Sequence, residues 1–358
     1  MTDRFAGRLL QWYDQHGRKN LPWHEDRTPY RVWISEIMLQ QTQVATVIPF
    51  YQAFMARFPT VAALAEAPVD DVLSHWSGLG YYARARNLHK AAKTVMSNFG
   101  GQFPDTTDAL EQLPGIGRST AAAIIAQALN RRAAILDGNV KRVLARYHRI
   151  EGWPGQTRVQ ARLWLKAEEH TPEERPRDYT QAIMDLGALL CTRRNPDCKR
   201  CPVSESCEAY RHGDQHQFPA SKPKAAKPEK SVWMLLLEDA EGRILLEQRP
   251  PAGIWGGLWS LPEMDPEHDA EDLPGLCQRR FSAACNLAGT LAPFRHTFSH
   301  YHLHVKPALL QTGLTKAGDL EVKESGTYRW LHRDQALNLG LPAPVRQLLT
   351  DPGQPELI

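Results

Sequence analysis

The sequence has no apolar run near the ~20 residues that a bilayer-spanning helix requires. Its best candidates, Ala121–Ala126 and Val232–Leu237, are far too short. The opening Met1-Thr2-Asp3-Arg4 lacks the apolar stretch of a secretory signal, so a cytoplasmic protein is expected. Cysteine is scarce, six residues in 358, and four of them fall between Cys191 and Cys207. A disulfide-stapled secreted domain is usually a shorter chain with its cysteines spread along it, so a metal site in a reducing compartment is the better reading. There is no internal repeat. Net charge is small, +3, and the 42% hydrophobic and 23% charged residues exclude wholesale disorder.

Small net charge hides a division. Residues 1–230 hold 32 Lys/Arg against 24 Asp/Glu, whereas residues 231–358 hold 11 against 16. A basic part followed by an acidic one suggests that the first meets a polyanion. The basic part is poor in period-2 alternation and rich in helical spacing. Phe5, Leu9, Leu10, Trp12 and Tyr13 predict a first helix behind a Thr2/Asp3 cap. Pro29 introduces one long amphipathic stretch, Val32–Val47. Further helices are expected at Ala62–Leu64, Asp70–Leu73, Tyr82–Asn98, Thr107–Leu113, Ser119–Leu129, Val140–Tyr147, Gln160–His170 and Tyr179–Leu190. Residues 1–214 are therefore expected to be an all-α region. Residues 215–230, rich in Pro, Lys and Ala, read as a solvated linker. Residues 231–358 read as an α+β domain, with strands at Val232–Glu238, Arg243–Gln248, His302–Leu310 and Thr327–Trp330 and a helix at Val345–Leu349.

The cysteine spacing, Cys191-x6-Cys198-x2-Cys201-x5-Cys207, places four thiols on one short loop around a metal centre. Zinc usually takes two C-x2-C pairs. The longer spacers here allow a wider cage and favour a [4Fe–4S] cluster, with zinc the alternative. Arg193, Arg194, Lys199 and Arg200 decorate the loop and suit phosphates or plain solvation.

The run Leu113-Pro114-Gly115-Ile116-Gly117-Arg118-Ser119-Thr120 places two glycines between helical patterns. A mere tight turn would use them. The flanking helices favour a helix–hairpin–helix, whose backbone N–H groups at a helix N-terminus bind a phosphate. Twenty residues past Gly117 stands Asp137, before Gly138 and a new helix; a plain N-cap would look the same. Glu36 lies in an otherwise apolar stretch, Trp33–Leu39, whose wall would raise its pKa toward the range of a general acid.

Together, the hairpin, the Asp beyond it and the four-Cys loop resemble the endonuclease III superfamily of helix–hairpin–helix DNA glycosylases. Within it, residues 35–42 (SEIMLQQT), 78–88 (GLGYYARARNL) and 136–142 (LDGNVKR) resemble the MutY family of adenine DNA glycosylases, as does Phe298-Ser299-His300. The resemblance runs over nearly the whole chain. It implies a monomer acting on double-stranded DNA, removing adenine opposite 8-oxoguanine or guanine and leaving an abasic site. It also implies a base flipped into a pocket, because a stacked adenine is out of reach.

By position, the resemblance makes Glu36 the acid that protonates adenine N7. Asp137 becomes the ionised carboxylate that stabilises positive charge at C1′, the two-carboxyl solution of glycoside hydrolysis. Gln41 and Thr42 match residues around 8-oxoguanine, and Leu79 and Tyr81 match the wedge that enters the stack. Phe298, Ser299 and His300 match the loop that inspects 8-oxoguanine. Ser119 stands where lyase members carry the Schiff-base Lys, and a hydroxyl forms no imine, so a monofunctional enzyme is expected. Lys141, one helical turn from Asp137, leaves slow adventitious trapping open.

The acidic domain resembles the Nudix fold. Gly257-x5-Glu263 opens its signature, but no Arg-Glu-x-x-Glu-Glu follows. The metal-binding carboxylates are missing, and no pyrophosphohydrolase activity is expected. Two rivals remain: a lyase on oxidised pyrimidines, opposed by Ser119 and the second domain, and a non-enzymatic damage binder, opposed by Glu36 and Asp137.

Overall fold

A computed structural model describes residues 4–223, 226–313, 328–351 and 353. The Thr2/Asp3 cap and Thr327 lie outside the described residues. The chain divides into two compact units, one of Met1–Glu66 with Asn87–Lys224, the other of Ala67–Arg86 with Ala225–Ile358.

The helices in chain order begin with α1 (Arg4–His16), α2 (Pro29–Leu39), α3 (Val44–Arg57), α4 (Val61–Glu66), α5 (Val69–His75) and α6 (Ala83–Phe99). They continue with α7 (Thr107–Glu111), α8 (Arg118–Leu129), α9 (Gly138–Tyr147), α10 (Thr157–His170), α11 (Pro176–Asp185) and the short α12 (Glu208–Arg211). Local chemistry starts and stops them. Pro29 opens α2, and the Thr28 hydroxyl accepts the Arg31 N–H at 3.3 Å. Asn130, left-handed at φ 52°, ends α8. In the first unit, α1 buries Phe5, Leu9, Leu10 and Tyr13 against Val140, Val143 and Leu144 of α9 and Leu163 of α10. Those side chains recur every three to four residues, the helical spacing of the sequence.

Three expectations change here. Val32–Val47 is not one helix. Gln41 takes a left-handed φ of 60°, and the Thr42 N–H turns back to the Leu39 carbonyl at 3.3 Å, so α2 stops and α3 begins afresh. The stretch to Leu190 leaves α-geometry at Asp185 and finishes as a π-turn over Leu186–Leu190. Finally, the helical region 1–214 is not one unit, because Ala67–Arg86 packs with the C-terminal residues. Asp70 of α5 takes hydrogen bonds from Gln248 Nε2 at 3.2 Å and Trp259 Nε1 at 3.3 Å, and the Tyr82 hydroxyl donates to the Leu341 carbonyl at 3.1 Å.

In the second unit, β1 (Glu229–Glu238), β2 (Ile244–Gln248), β3 (Trp259–Ser260), β4 (Glu263–Met264), β5 (Cys285–Thr290), β6 (Phe294–Thr297), β7 (His302–Thr312) and β8 (Tyr328–Leu331) form one mixed sheet. Its main path runs β3-β2-β1-β7-β5, with β4 on β1, β6 on β7 and β8 on β2. The central β1 and β7 are parallel, from Glu229 opposite His302 to Glu238 opposite Gln311. Val232–Leu237 is buried throughout, which is why it reads as an unbroken apolar run. α13 (Leu273–Phe281) covers one face through Leu273, Cys277 and Phe281; α14 (Arg333–Ala336) and α15 (Ala343–Thr350) complete the unit. The linker is shorter than its composition suggests. Phe218 is buried, Arg146 donates to the carbonyls of Gln215 and Phe218, and β1 has already begun at Glu229.

Candidate active site and the residues around it

Glu36 projects from α2 and Asp137 caps α9. Gln127 of α8, itself buried, donates from Nε2 to Glu36 Oε1 at 3.0 Å. The half-buried Glu36 carboxyl is pushed up to about 8, first by loss of solvent and then by the negative charge of Asp137. The two carboxyls are therefore neighbours, and negative charge on Asp137 helps to keep the Glu36 proton in place. Burial raises Asp137 as well, against hydrogen bonds that favour its charge. Asp137 Oδ1 accepts the Val140 N–H at 2.8 Å and Oδ2 accepts from Asn139 Nδ2 at 3.3 Å. The capping role is thus real, and it places the carboxylate at a helix N-terminus, where negative charge is stabilised.

Asn139 is itself held. Arg142 Nη2 donates to Asn139 Oδ1 at 2.8 Å and to the Gly187 carbonyl at 2.7 Å, while its Nε donates to the Cys191 carbonyl at 2.7 Å. A side chain on Gly187 would begin 2.6 Å from Asn139 Cβ, so glycine there permits the close packing. Ser119 is turned inward: its Oγ accepts the Leu136 N–H at 3.0 Å and braces the chain entering Asp137.

At the hairpin, Ile116 N–H bonds to the Leu113 carbonyl at 3.1 Å. Gly115 has a left-handed φ of 81°, and an added Cβ would lie 2.8 Å from Asn87 Cβ. Gly117 needs no special φ; it caps α8 with open space where a Cβ would be. Arg118 lies over the Trp164 ring at 3.9 Å and pairs with Glu168 at 2.9 Å.

Residues matched to DNA contacts divide. Gln41 is exposed in its left-handed turn and Thr42 is half-buried beside it. Tyr81 is 51% exposed at φ 50°, but Leu79 is only 6% exposed. Leu79 is a core residue of its unit, so of the expected wedge pair only Tyr81 is presented to solvent. Arg84 lies over the rings of Trp76 and Tyr81 and donates to the carbonyls of Leu79 and Gly80. Ser299 and His300 are exposed at the tip of the β6–β7 hairpin, with Phe298 half-buried below.

Cys191, Cys198, Cys201 and Cys207 line one cavity with Arg146, Leu186 and Leu190. Arg146 Nη1 stands 3.3 Å from Cys191 Sγ. The Val203 N–H faces Cys201, and the Ala209 and Tyr210 N–H groups face Cys207. Burial pushes Cys207 up to about 11 and Cys201 to about 12, and raises Cys198. Among the described residues no group of three or more His, Cys, Asp or Glu is placed to hold a metal ion. A donor set of four thiols around one space, with N–H and guanidinium groups aimed at sulfur, fits a larger thiolate-bound group.

Two family models match the chain: an HhH-GPD superfamily base excision DNA repair protein over residues 34–169 and a NUDIX domain over residues 232–351. An adenine DNA glycosylase of Buchnera aphidicola subsp. Schizaphis graminum (strain Sg) is 38% identical over 345 residues, 96% of this chain and 97% of that one. The chain belongs to the adenine DNA glycosylase family. The Homo sapiens adenine DNA glycosylase is 36% identical over 84% of this chain and 65% of its own length. A thermostable thymine-DNA glycosylase of solved structure covers 58% of this chain and 95% of its own, with 30% identity and a TM-score of 0.53.

As an adenine DNA glycosylase, the chain is an enzyme of base excision repair that acts on DNA and removes adenine. No helix among the described residues is long and apolar enough to cross a membrane. In its Nudix domain, Glu263 pairs with Arg249 and Glu247 with Arg280. α13, which follows Glu263, carries Arg279 and Arg280 and no carboxylate. Gln127, Asn139 and Arg142 are the site's neighbours that composition and spacing did not single out. Asn139 and Arg142 lie in the run 136–142 that carries the family resemblance, whereas Gln127 had no signal in the sequence.

Proposed function

We propose that this adenine DNA glycosylase removes adenine opposite 8-oxoguanine, or guanine, by acid-assisted hydrolysis and without strand cleavage. The observation that carries the mechanism is a carboxyl pushed up to about 8 beside a second carboxyl whose hydrogen bonds favour its charge. Adenine is a poor leaving group as an anion. Glu36, protonated at neutral pH, donates to N7 of the flipped base, and Gln127 holds its other oxygen. As the glycosidic bond lengthens, positive charge grows at C1′. Asp137, its charge stabilised by the α9 N-terminus and Asn139, faces that charge or bonds to C1′; water then adds at C1′, breaking any C1′–Asp137 bond, and its proton returns to the Glu36 carboxylate. Ser119 supplies no amine, so no imine with the abasic aldehyde forms at that position.

The reading of 8-oxoguanine is assigned to Ser299 and His300, exposed hydrogen-bonding side chains at the tip of the β6–β7 hairpin. The opposite strand is held by Gln41, Thr42 and Tyr81, and Gly115–Gly117 with the α8 N-terminus binds a phosphate. Cys191, Cys198, Cys201 and Cys207 would hold a [4Fe–4S] cluster. When bound, such a cluster ties the loop together and presents Arg193, Arg194, Lys199 and Arg200 outward.

The decisive experiment is single-turnover base release from a duplex with one adenine opposite 8-oxoguanine, with and without alkali. Strand breaks only after alkali support the proposal. Breaks without alkali make the enzyme a lyase and overturn the assignment of Ser119. Equal rates opposite 8-oxoguanine and guanine overturn the lesion reading.

A further inference from the structure

The end of the stretch that reads as a linker grips the hairpin whose tip is Ser299–His300. The Phe298 N–H bonds to the Tyr301 carbonyl at 2.9 Å, and the two rings stack with centroids 4.7 Å apart. This closes a four-residue turn with only Ser299 and His300 between its ends. Lys227 Nζ donates to the Phe298 carbonyl at 2.7 Å, and Lys230 Nζ lies 5.0 Å from the centre of the Tyr301 ring. Between the lysines, the Pro228 carbonyl accepts the His302 N–H at 2.9 Å, and Glu229 meets His304 at 2.6 Å. Each shoulder of the turn is therefore held by one lysine. Beneath it, Trp255, at a left-handed φ of 55°, packs 5.2 Å from Phe298 and 5.6 Å from His296.

The Phe298 carbonyl and the Ser299 N–H belong to one rigid peptide plane and point in opposite directions. Fixing the carbonyl fixes the direction of that N–H and the position of Ser299 Cα. A base reader needs such control, since its hydrogen bonds tolerate errors of only about 0.5 Å and 10–20°. An exposed lysine–carbonyl bond adds little to overall stability, so its loss would show in specificity rather than in folding.

We propose that Lys227 and Lys230 are positioning residues for the lesion-reading tip and set the preference for 8-oxoguanine over guanine. The inference rests on the reading above that Ser299 and His300 inspect the opposite base. The test measures single-turnover base release and duplex binding with adenine opposite 8-oxoguanine and opposite guanine. The variants are K227M, K227R, K230M and the double substitution S299A/H300A. K227M is expected to lower the 8-oxoguanine:guanine rate ratio about fivefold, the order of one hydrogen bond, with K230M acting in the same direction. K227R should recover most of the ratio, with melting temperatures unchanged throughout.

Three results overturn the proposal. If K227M weakens binding of both duplexes equally and flattens its salt dependence, Lys227 is a phosphate contact. If K227M keeps the ratio while S299A/H300A destroys it, the tip holds itself. If S299A/H300A also keeps the ratio, the lesion reading fails and the positioning role falls with it.

Discussion

Glu36→Gln separates the chemical role of Glu36 from its cost to folding. The folded carboxyl keeps its proton up to about pH 8, whereas an unfolded one releases it near the ordinary value of 4.5. The folded state thus binds the extra proton between those limits, and stability must fall as pH rises from 4.5 to 8. At 1.36 kcal/mol per pH unit, the loss reaches about 3 kcal/mol at pH 7. Glutamine cannot ionise, and its carbonyl can still accept the Gln127 N–H. The variant should therefore escape the loss. Asp137 is present in both proteins, so it largely cancels. In a unit of this size, about 3 kcal/mol corresponds to roughly 6–12 °C in melting temperature. The assay is thermal unfolding of both proteins at pH 4.5, 6, 7 and 8. The variant should gain on the wild type steadily with pH, while base release falls by about 10²–10⁴, the range for a lost general acid. A melting-temperature difference that stays flat across this range would refute the proton assigned to Glu36.

Gly115→Ala should destabilise the first unit by about 1–3 kcal/mol, because φ 81° and the 2.8 Å approach to Asn87 both oppose a methyl; urea unfolding measures this. Gly117→Ala should keep the wild-type unfolding midpoint yet weaken duplex binding, because its methyl enters open space where a phosphate would sit. Asn139→Ala removes one hydrogen bond from Asp137 and should shift the acidic limb of the single-turnover pH–rate profile upward, since less now favours the ionised form. Cys201→Ser should lower the iron content of purified protein and the visible absorbance that accompanies it, against about four irons per chain expected for wild type.

Much of this was legible in the sequence because it is local. Cysteine spacing, helical periodicity, the two glycines and the apolar wall around Glu36 are all read within one or two turns of chain. The rest depends on partners distant in sequence. Gln127 reaches Glu36 across 91 residues and Arg142 reaches Cys191 across 49. Leu79 sits in a glycine-rich turn that looks exposed, yet its unit's core takes it in. β5 and β6, with Asn286, Arg295 and His296 in their short runs, carry too little apolar alternation to announce strands. The linker's composition is that of a solvated chain, and only β7 as a pairing partner turns Glu229 and Lys230 into strand.

α13 bears on how the Nudix domain depends on its surroundings. An acidic signature is an incomplete device, since it works only after borrowing positive charge from dissolved divalent ions. Here Arg249 and Arg280 are already matched to Glu263 and Glu247, so the balancing charge is built into the polymer. A divalent ion at these two carboxylates would first have to displace an arginine from each.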